Sequence, residues 1–155
     1  MIYGIGLTGR SNPSTTRIEA DDSGRFTLYL GIGDGGQGSS TVLTQIAAEV
    51  LQCQAEDIQL VAGDTDCCPD SGITAGSRVT YIIGRSVQIA AEKLMELLQG
   101  IAASILEINP EDLRFKNGLF YSRKFLSRGV SVAQAVKRLR EQGALLLERG
   151  SSNRS

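Results

Sequence analysis

Histidine is absent from the 155 residues. That absence removes Ser-His-Asp and Cys-His triads, His-ligated zinc, and any imidazole acting as general base within the chain. Cysteine is scarce: the three residues are an odd number, and Cys67 and Cys68 are adjacent, which suits neither a disulfide framework nor a CxxC metal knuckle. A reducing, cytoplasmic setting is therefore expected. Basic surplus is also missing. Sixteen Lys+Arg against 17 Asp+Glu leave a net charge of -1, with no field to attract phosphate backbones, so no nucleic-acid partner is expected. No apolar run approaches the ~18 residues of a membrane span, and the opening MIYGIGLTGR lacks a basic segment followed by an apolar one, so no membrane partner is expected either.

Glycine, in contrast, is abundant at 18 of 155 residues, about 12% against a usual ~7%, and much of it falls in two loops. The length suits one domain, and the patterns around those loops alternate between strand and helix. Residues 2–7 suit an extended segment and 17–21 a half-buried strand. Asp22-Ser23-Gly24 is turn chemistry leading into RFTLYLGI, whose Phe26, Leu28 and Leu30 share a face, so a hairpin is predicted. A helix follows over 41–51, then a strand over 57–63. The apolar pattern from Val79 to Ile108 predicts one long buried helix, or two joined near Gly100. Asn117-Gly118 centres a second hairpin, residues 131–143 read as a helix capped by Ser131, and 144–148 can begin another strand. The segments 55–63 and 110–118 echo each other as helix-to-strand connections. These features predict an α/β (α+β) fold, a mixed sheet with hairpins and two or three packed helices, over residues 1–149, with a disordered tail over 150–155.

Three readings of the first loop stand side by side. Gly31-Ile32-Gly33-Asp34-Gly35-Gly36 is a literal GxGxxG between strand and helix, with Asp64 after the next strand as an acid for a ribose, which is the context of a nicotinamide-dinucleotide site. The acid lies farther along the chain than that fingerprint prefers. Alternatively, the glycines only shape a structural loop. In the third reading Gly36 and Gly38 let the backbone approach a ligand while Gln37 presents a neutral amide, and the helix beginning near Ser39 aims free N–H groups at an anion. The second loop, from Gly63 to Arg78, is built alike from small and hydroxyl residues and also ends at a helix start, which Thr74 or Ser77 can cap. An anion cradle would need the two loops to converge in space.

Taken together, GDGGQGSSTVLTQIAAEVL at 33–51, GDTDCCPDSGITAGSR at 63–78 and the small-residue helix after them resemble the molybdopterin-binding region of the large subunit in the xanthine dehydrogenase and aldehyde oxidase family. The resemblance covers about Ile2 to Glu148. It implies one half of a molybdenum-cofactor-binding domain in an enzyme that hydroxylates an aldehyde or N-heterocycle, a small-molecule substrate, with oxygen from water. The cofactor implied is molybdopterin, in its simple or dinucleotide form, with iron–sulfur clusters and FAD on partner domains. Carried over by position, Gln37 matches the glutamine whose amide bonds a molybdenum oxygen ligand, with no protein–metal bond. Gly36, Gly38 and Thr41 belong to the same element, and Thr74, Gly76, Ser77 and Arg78 match the loop along the pterin. The family's downstream GxGE glutamate, its base, has no counterpart in these residues. The implied partners are therefore the remaining lobe of the large subunit and iron–sulfur/FAD subunits, with this chain a truncated piece, split subunit or noncatalytic remnant, incomplete alone.

Overall fold

The computed structural model describes residues 13–74, 78–122, 128–142 and 147–152. The expected opening strand at 2–7 lies outside them. Strand β1 (Ser14–Ala20) and β2 (Phe26–Leu30) form the predicted hairpin, although β1 begins three residues before the alternation suggested. Its turn is closed by Asp21, whose Oδ1 accepts from Ser23 N–H at 2.8 Å and Arg25 N–H at 3.0 Å, while Gly24 takes φ 83°. Helix α1 (Ser39–Leu51) then crosses to β3 (Ile58–Ala62), which runs parallel to β2. These three elements make one β-α-β unit, with the glycine loop at the carboxyl end of β2.

Residues 79–106 settle the alternative at Gly100: Val79–Ile83 is a π-helical turn that continues directly into α2 (Gly84–Leu106), without a break. Alternation of small and large side chains lets α2 lie close to its neighbours. A Cβ at Gly84 would come within 2.9 Å of Ile46 Cδ1, so glycine sets the approach of α1 to the start of α2. Across the core, Val87, Ala90, Ala91, Leu94 and Leu98 of α2 cluster with Ile18, Leu28 and Leu30 of the sheet and Leu43, Ala47 and Leu51 of α1. Val42, one of the apolar positions of the α1 pattern, faces outward instead. The buried hydroxyls of Ser14 and Ser86 lie 3.3 Å apart, and Ser86 also donates to Ile83 O, so polar atoms between β1 and α2 bond each other.

Both long helices end alike. Gln52 and Glu107 occupy the left-handed region at the C-terminal ends of α1 and α2, and a 3-10 turn follows each, at Ala55–Asp57 and Pro110–Asp112, before a strand. The echo between 55–63 and 110–118 is thus a repeated helix–turn–strand connection. The second copy enters β4 (Leu113–Lys116), which pairs with β5 (Leu119–Ser122) through Asn117 and Gly118 at φ 51° and 74°, the conformations of a two-residue hairpin turn. Strand β6 (Gly129–Ser131) completes a three-stranded sheet and leads into α3 (Val132–Glu141). Ser131 Oγ accepts from Gln134 N–H while Gln134 Oε1 accepts from Ser131 N–H, a reciprocal cap. Gly143, expected to end this helix, lies outside the described residues.

The last strand completes the expected mixed sheet and runs farther than expected. β7 (Leu147–Ser152) pairs antiparallel with β1, from Ser14 opposite Ser152 to Glu19 opposite Leu147, giving a mixed sheet of order β3-β2-β1-β7. Residues 150–152, expected from sequence in a disordered tail, therefore form strand; the small polar run GSS reads as coil, but pairing with β1 supplies backbone bonds that no local pattern reveals. No described helix is long and apolar enough to cross a membrane.

Candidate functional site

The two glycine-rich loops converge. They meet at the carboxyl ends of the parallel strands β2 and β3, where Gly63 N–H donates to Leu30 O at 2.9 Å and Gly63 lies against Gly33. Gly31, the first residue of the glycine loop, donates its N–H to Ser71 Oγ at 2.9 Å, and Ser71 Oγ in turn donates to Thr15 O. A Cβ at Gly31 would run into the Pro69 carbonyl and sit 2.9 Å from Ser71 N, so only glycine permits this contact. Crevices outside the carboxyl ends of parallel strands are where α/β proteins bind ligands.

Around Gln37 the loop is open. The side chain is exposed, and Cβ atoms built at Gly33, Gly36 and Gly38 meet nothing within 4 Å. Gly36 and Gly38, on either side of Gln37, take φ 100° and 75°, which L side chains resist. The carboxamide is held from below: Oε1 accepts from Gly35 N–H at 2.9 Å and Nε2 donates to Ser39 Oγ at 3.1 Å. Nε2 carries a second hydrogen. Thr41 is exposed in the first turn of α1, on the same loop–helix element.

At the start of α1, where an anion cradle is expected, the loop's own Asp34 lies against the backbone. There the Ser40 N–H donates to Asp34 Oδ2 at 3.0 Å, while the Gly36 and Gly38 N–H groups just before the helix donate to Asp34 Oδ1 at 2.9 and 3.2 Å. These bonds, that of Ser40 foremost, hold the Asp34 carboxyl below its ordinary value. A carboxylate occupies the place a phosphate would take. The same geometry counts against the nicotinamide-dinucleotide reading, because a pyrophosphate on this helix would meet that charge. Asp64, the supposed ribose acid, instead accepts from Asp66 N–H at 2.9 Å within its own loop. Sequence reasoning misses Asp34; an acid followed by glycines and then a helix start is Asx-turn chemistry, which is the signal that reveals it.

The Arg78 side chain faces the interior. The resemblance lays it along the pterin, yet it is fully buried, with its guanidinium donating to Ser71 O at 2.8 Å, Ile73 O at 3.0 Å and Pro13 O at 2.6 Å. Burial draws its pKa below the ordinary guanidinium value, with the Asp70 charge opposing. It is a staple between the second loop and the start of β1. Thr74 is exposed near this staple, while Gly76 and Ser77 lie outside the described residues, as does any cap that Ser77 would make. Arg78 itself is already helical, at φ -62° and ψ -39°.

The cysteines are free thiols. Cys53 packs against the core as a small hydrophobe would, and burial pushes its thiol up to about 11. Cys67 is also pushed up to about 11, by burial and then by hydrogen bonds with Asp64 and Cys68, so at neutral pH it stays protonated. Among the described residues no group of three His, Cys, Asp or Glu side chains gathers to hold a metal ion. What the site offers a ligand is a neutral amide on an open glycine backbone.

Comparison with known proteins identifies the family. The family model of the molybdopterin cofactor-binding domain matches residues 1–153. The 6-hydroxypseudooxynicotine dehydrogenase complex subunit gamma of Paenarthrobacter nicotinovorans is 38% identical over 106 residues, 68% of this chain and 13% of that protein. The carbon monoxide dehydrogenase large chain of Afipia carboxidovorans is 34% identical over 109 residues, 70% of this chain and 14% of that protein. Among solved structures, quinoline 2-oxidoreductase from Pseudomonas putida 86 superposes with a TM-score of 0.75 at 26% identity, covering 92% of this chain and 19% of that one. The chain thus spans about a seventh of the length of the curated relatives it matches. With the match running from residue 1 to residue 153 and the open Gln37 loop inside it, the chain belongs to the molybdopterin cofactor-binding domains of the molybdenum hydroxylase family.

Proposed function

We propose that this chain forms one wall of a molybdopterin site in an oxidoreductase that hydroxylates an aldehyde or N-heterocycle with oxygen from water. The observation that carries the reading is the exposed Gln37 carboxamide between two positive-φ glycines, with open space above the loop. Such a loop lets a flat, polar group lie against the backbone while one amide orients it. The molybdenum cofactor, in its simple or dinucleotide form, supplies the redox chemistry when bound. Gln37 contributes a neutral hydrogen-bonding group that adds no charge to the reacting centre.

The fit is selective. Gln37, Gly36, Gly38 and exposed Thr41 and Thr74 suit the cofactor's edge, whereas the Ser40 N–H of α1 and the Arg78 guanidinium are bonded within the chain. No GxGE-type base occurs in these residues. Turnover therefore needs the remaining lobe of a large subunit to supply it, and iron–sulfur and FAD subunits to carry the electrons away. The protonated thiol of Cys67 and the unpaired state of all three cysteines suit a reducing cytoplasm.

The test is molybdenum by mass spectrometry, with pterin fluorescence, on this chain produced alone and together with the complementary lobe. Near-stoichiometric molybdenum in the paired sample supports the reading. Well-folded protein without molybdenum in either sample overturns it and favours a noncatalytic remnant of the fold, a reading with which the local bonds of Gln37 to Gly35 and Ser39 also agree.

A further inference from the structure

Gln37 does not stand on the glycines alone. The peptide units before and after it, at Gly36 and Gly38, both donate to a single oxygen, Asp34 Oδ1, at 2.9 and 3.2 Å. The other oxygen, Oδ2, takes Ser40 N–H at 3.0 Å, in the first turn of α1. One carboxylate thus ties both flanks of Gln37 to the helix that follows. Neither neutral hydroxyls nor water would do this equally, because hydrogen bonds to an ionised acceptor are roughly twice as strong as neutral ones. The charge has a second consequence. Exposed N–H groups at a helix start carry a partial positive charge that attracts anions, and here a resident anion covers them.

We infer that Asp34 is the positioning residue of the glycine loop: it fixes the frame from which Gln37 presents its carboxamide and keeps free phosphate off the N-terminus of α1. The first half of this inference rests on Gln37 being the cofactor-facing residue, as proposed above; the second rests on the geometry of the loop alone. In consequence the loop offers its ligand an amide and glycine backbone, without an anion hole.

Solution NMR of the 155-residue chain, wild type and with D34A and D34N, tests the inference without cofactor. In wild type the Gly36, Gly38 and Ser40 amides are protected from exchange, and inorganic phosphate leaves them unmoved. In D34A all three exchange at least about tenfold faster, and the Gln37 side-chain resonances move to those of a freely rotating amide. D34N is the graded case. Its one carboxamide oxygen still accepts from Gly36 and Gly38 while its NH2 group faces Ser40, so Ser40 alone is released and phosphate now shifts its resonance, binding at least about threefold tighter than to wild type. A carboxylate that merely stabilised the fold would leave both Gln37 and the phosphate response unchanged. Identical Gln37 signals in wild type and D34N together with D34A, or equal phosphate shifts in wild type and D34N, would overturn the inference. Should D34A not fold, wild type against D34N decides the phosphate half, and the Gln37 side-chain resonances of wild type followed from pH 6 to pH 3 decide the other: they move as Asp34 protonates, and resonances that stay fixed overturn it. Failure to find molybdenum in the assembled enzyme would count against the proposed function only, since neither readout here involves the cofactor.

Discussion

The two loops that meet at the carboxyl ends of β2 and β3 are similar in composition but are held in opposite ways. Beyond Gly31 the side-chain bonds of the glycine loop are local: Asp34 and Gln37 reach no farther than six residues along the chain, and the outer surface is open. The second loop is held by distant partners. Ser71 bridges Gly31 and Thr15, Thr15 N–H donates to Asp70 O, and buried Arg78 reaches Pro13. The difference separates presentation from anchoring. A loop closed by its own residues can offer an exposed side chain without disturbing the core, whereas a loop bonded to β1 and β2 makes their relative placement part of its own stability.

Substitutions should break this contrast unequally. Arg78→Met has the largest expected effect, because it leaves the carbonyls of buried Ser71 and of Ile73 and Pro13 without their charged donor; a loss of roughly 3–5 kcal/mol is expected, read as a fall in the urea midpoint at unchanged slope. Next is Gly31→Ala, whose new methyl meets the Pro69 carbonyl and costs about 2 kcal/mol by the same measurement. Gly33→Ala two residues on, with nothing within 4 Å, is the control and should stay within about 0.5 kcal/mol. Equal effects at the two glycines would remove the distinction between an anchored and an open end of the loop.

Gln37→Ala sharpens the comparison from the side of function. It should change unfolding free energy by less than about 1 kcal/mol, yet lower turnover of the assembled molybdenum enzyme by about tenfold or more, measured at matched molybdenum content. A large loss of stability with unchanged turnover per molybdenum would make Gln37 a loop strut.

The smallest effect expected is the pH dependence of the glycine loop. Asp34 has its folded pKa lowered from 3.8, so its contribution is complete above that value and is lost as pH falls through the lower, folded one. Asp21 and Asp64 are shifted in the same direction, by the Ser23 hydroxyl and by Asp66 N–H respectively, and add to the acid side. Chemical denaturation between pH 6 and pH 3 should therefore show stability falling toward the acid end, with a shallower fall in D34N. No difference in slope would mean that the carboxylate bonds form equally in the unfolded chain.

Local signals make much of this arrangement legible. The Asp22–Gly24 and Asn117-Gly118 turns, the Ser131 cap and the shared face of Phe26, Leu28 and Leu30 all act over a few residues, and the structure has each of them where the pattern indicates. Flanking glycines mark Gln37 for the same reason. The burial of the Arg78 side chain is not legible in the sequence, because only carbonyls brought from the second loop and from Pro13 make it tolerable. Residues 150–152 are misread because strand pairing with β1 is a contact across more than a hundred positions.

The sequence by itself determined the periodic elements, the turn residues and the glycine–glutamine element, because propensity, periodicity and φ preference are properties of short segments. Tertiary structure alone decided that the two loops meet, that β7 closes on β1, and that Arg78 serves the interior. Those outcomes depend on which distant backbone groups satisfy one another, and no neighbouring residue carries that information.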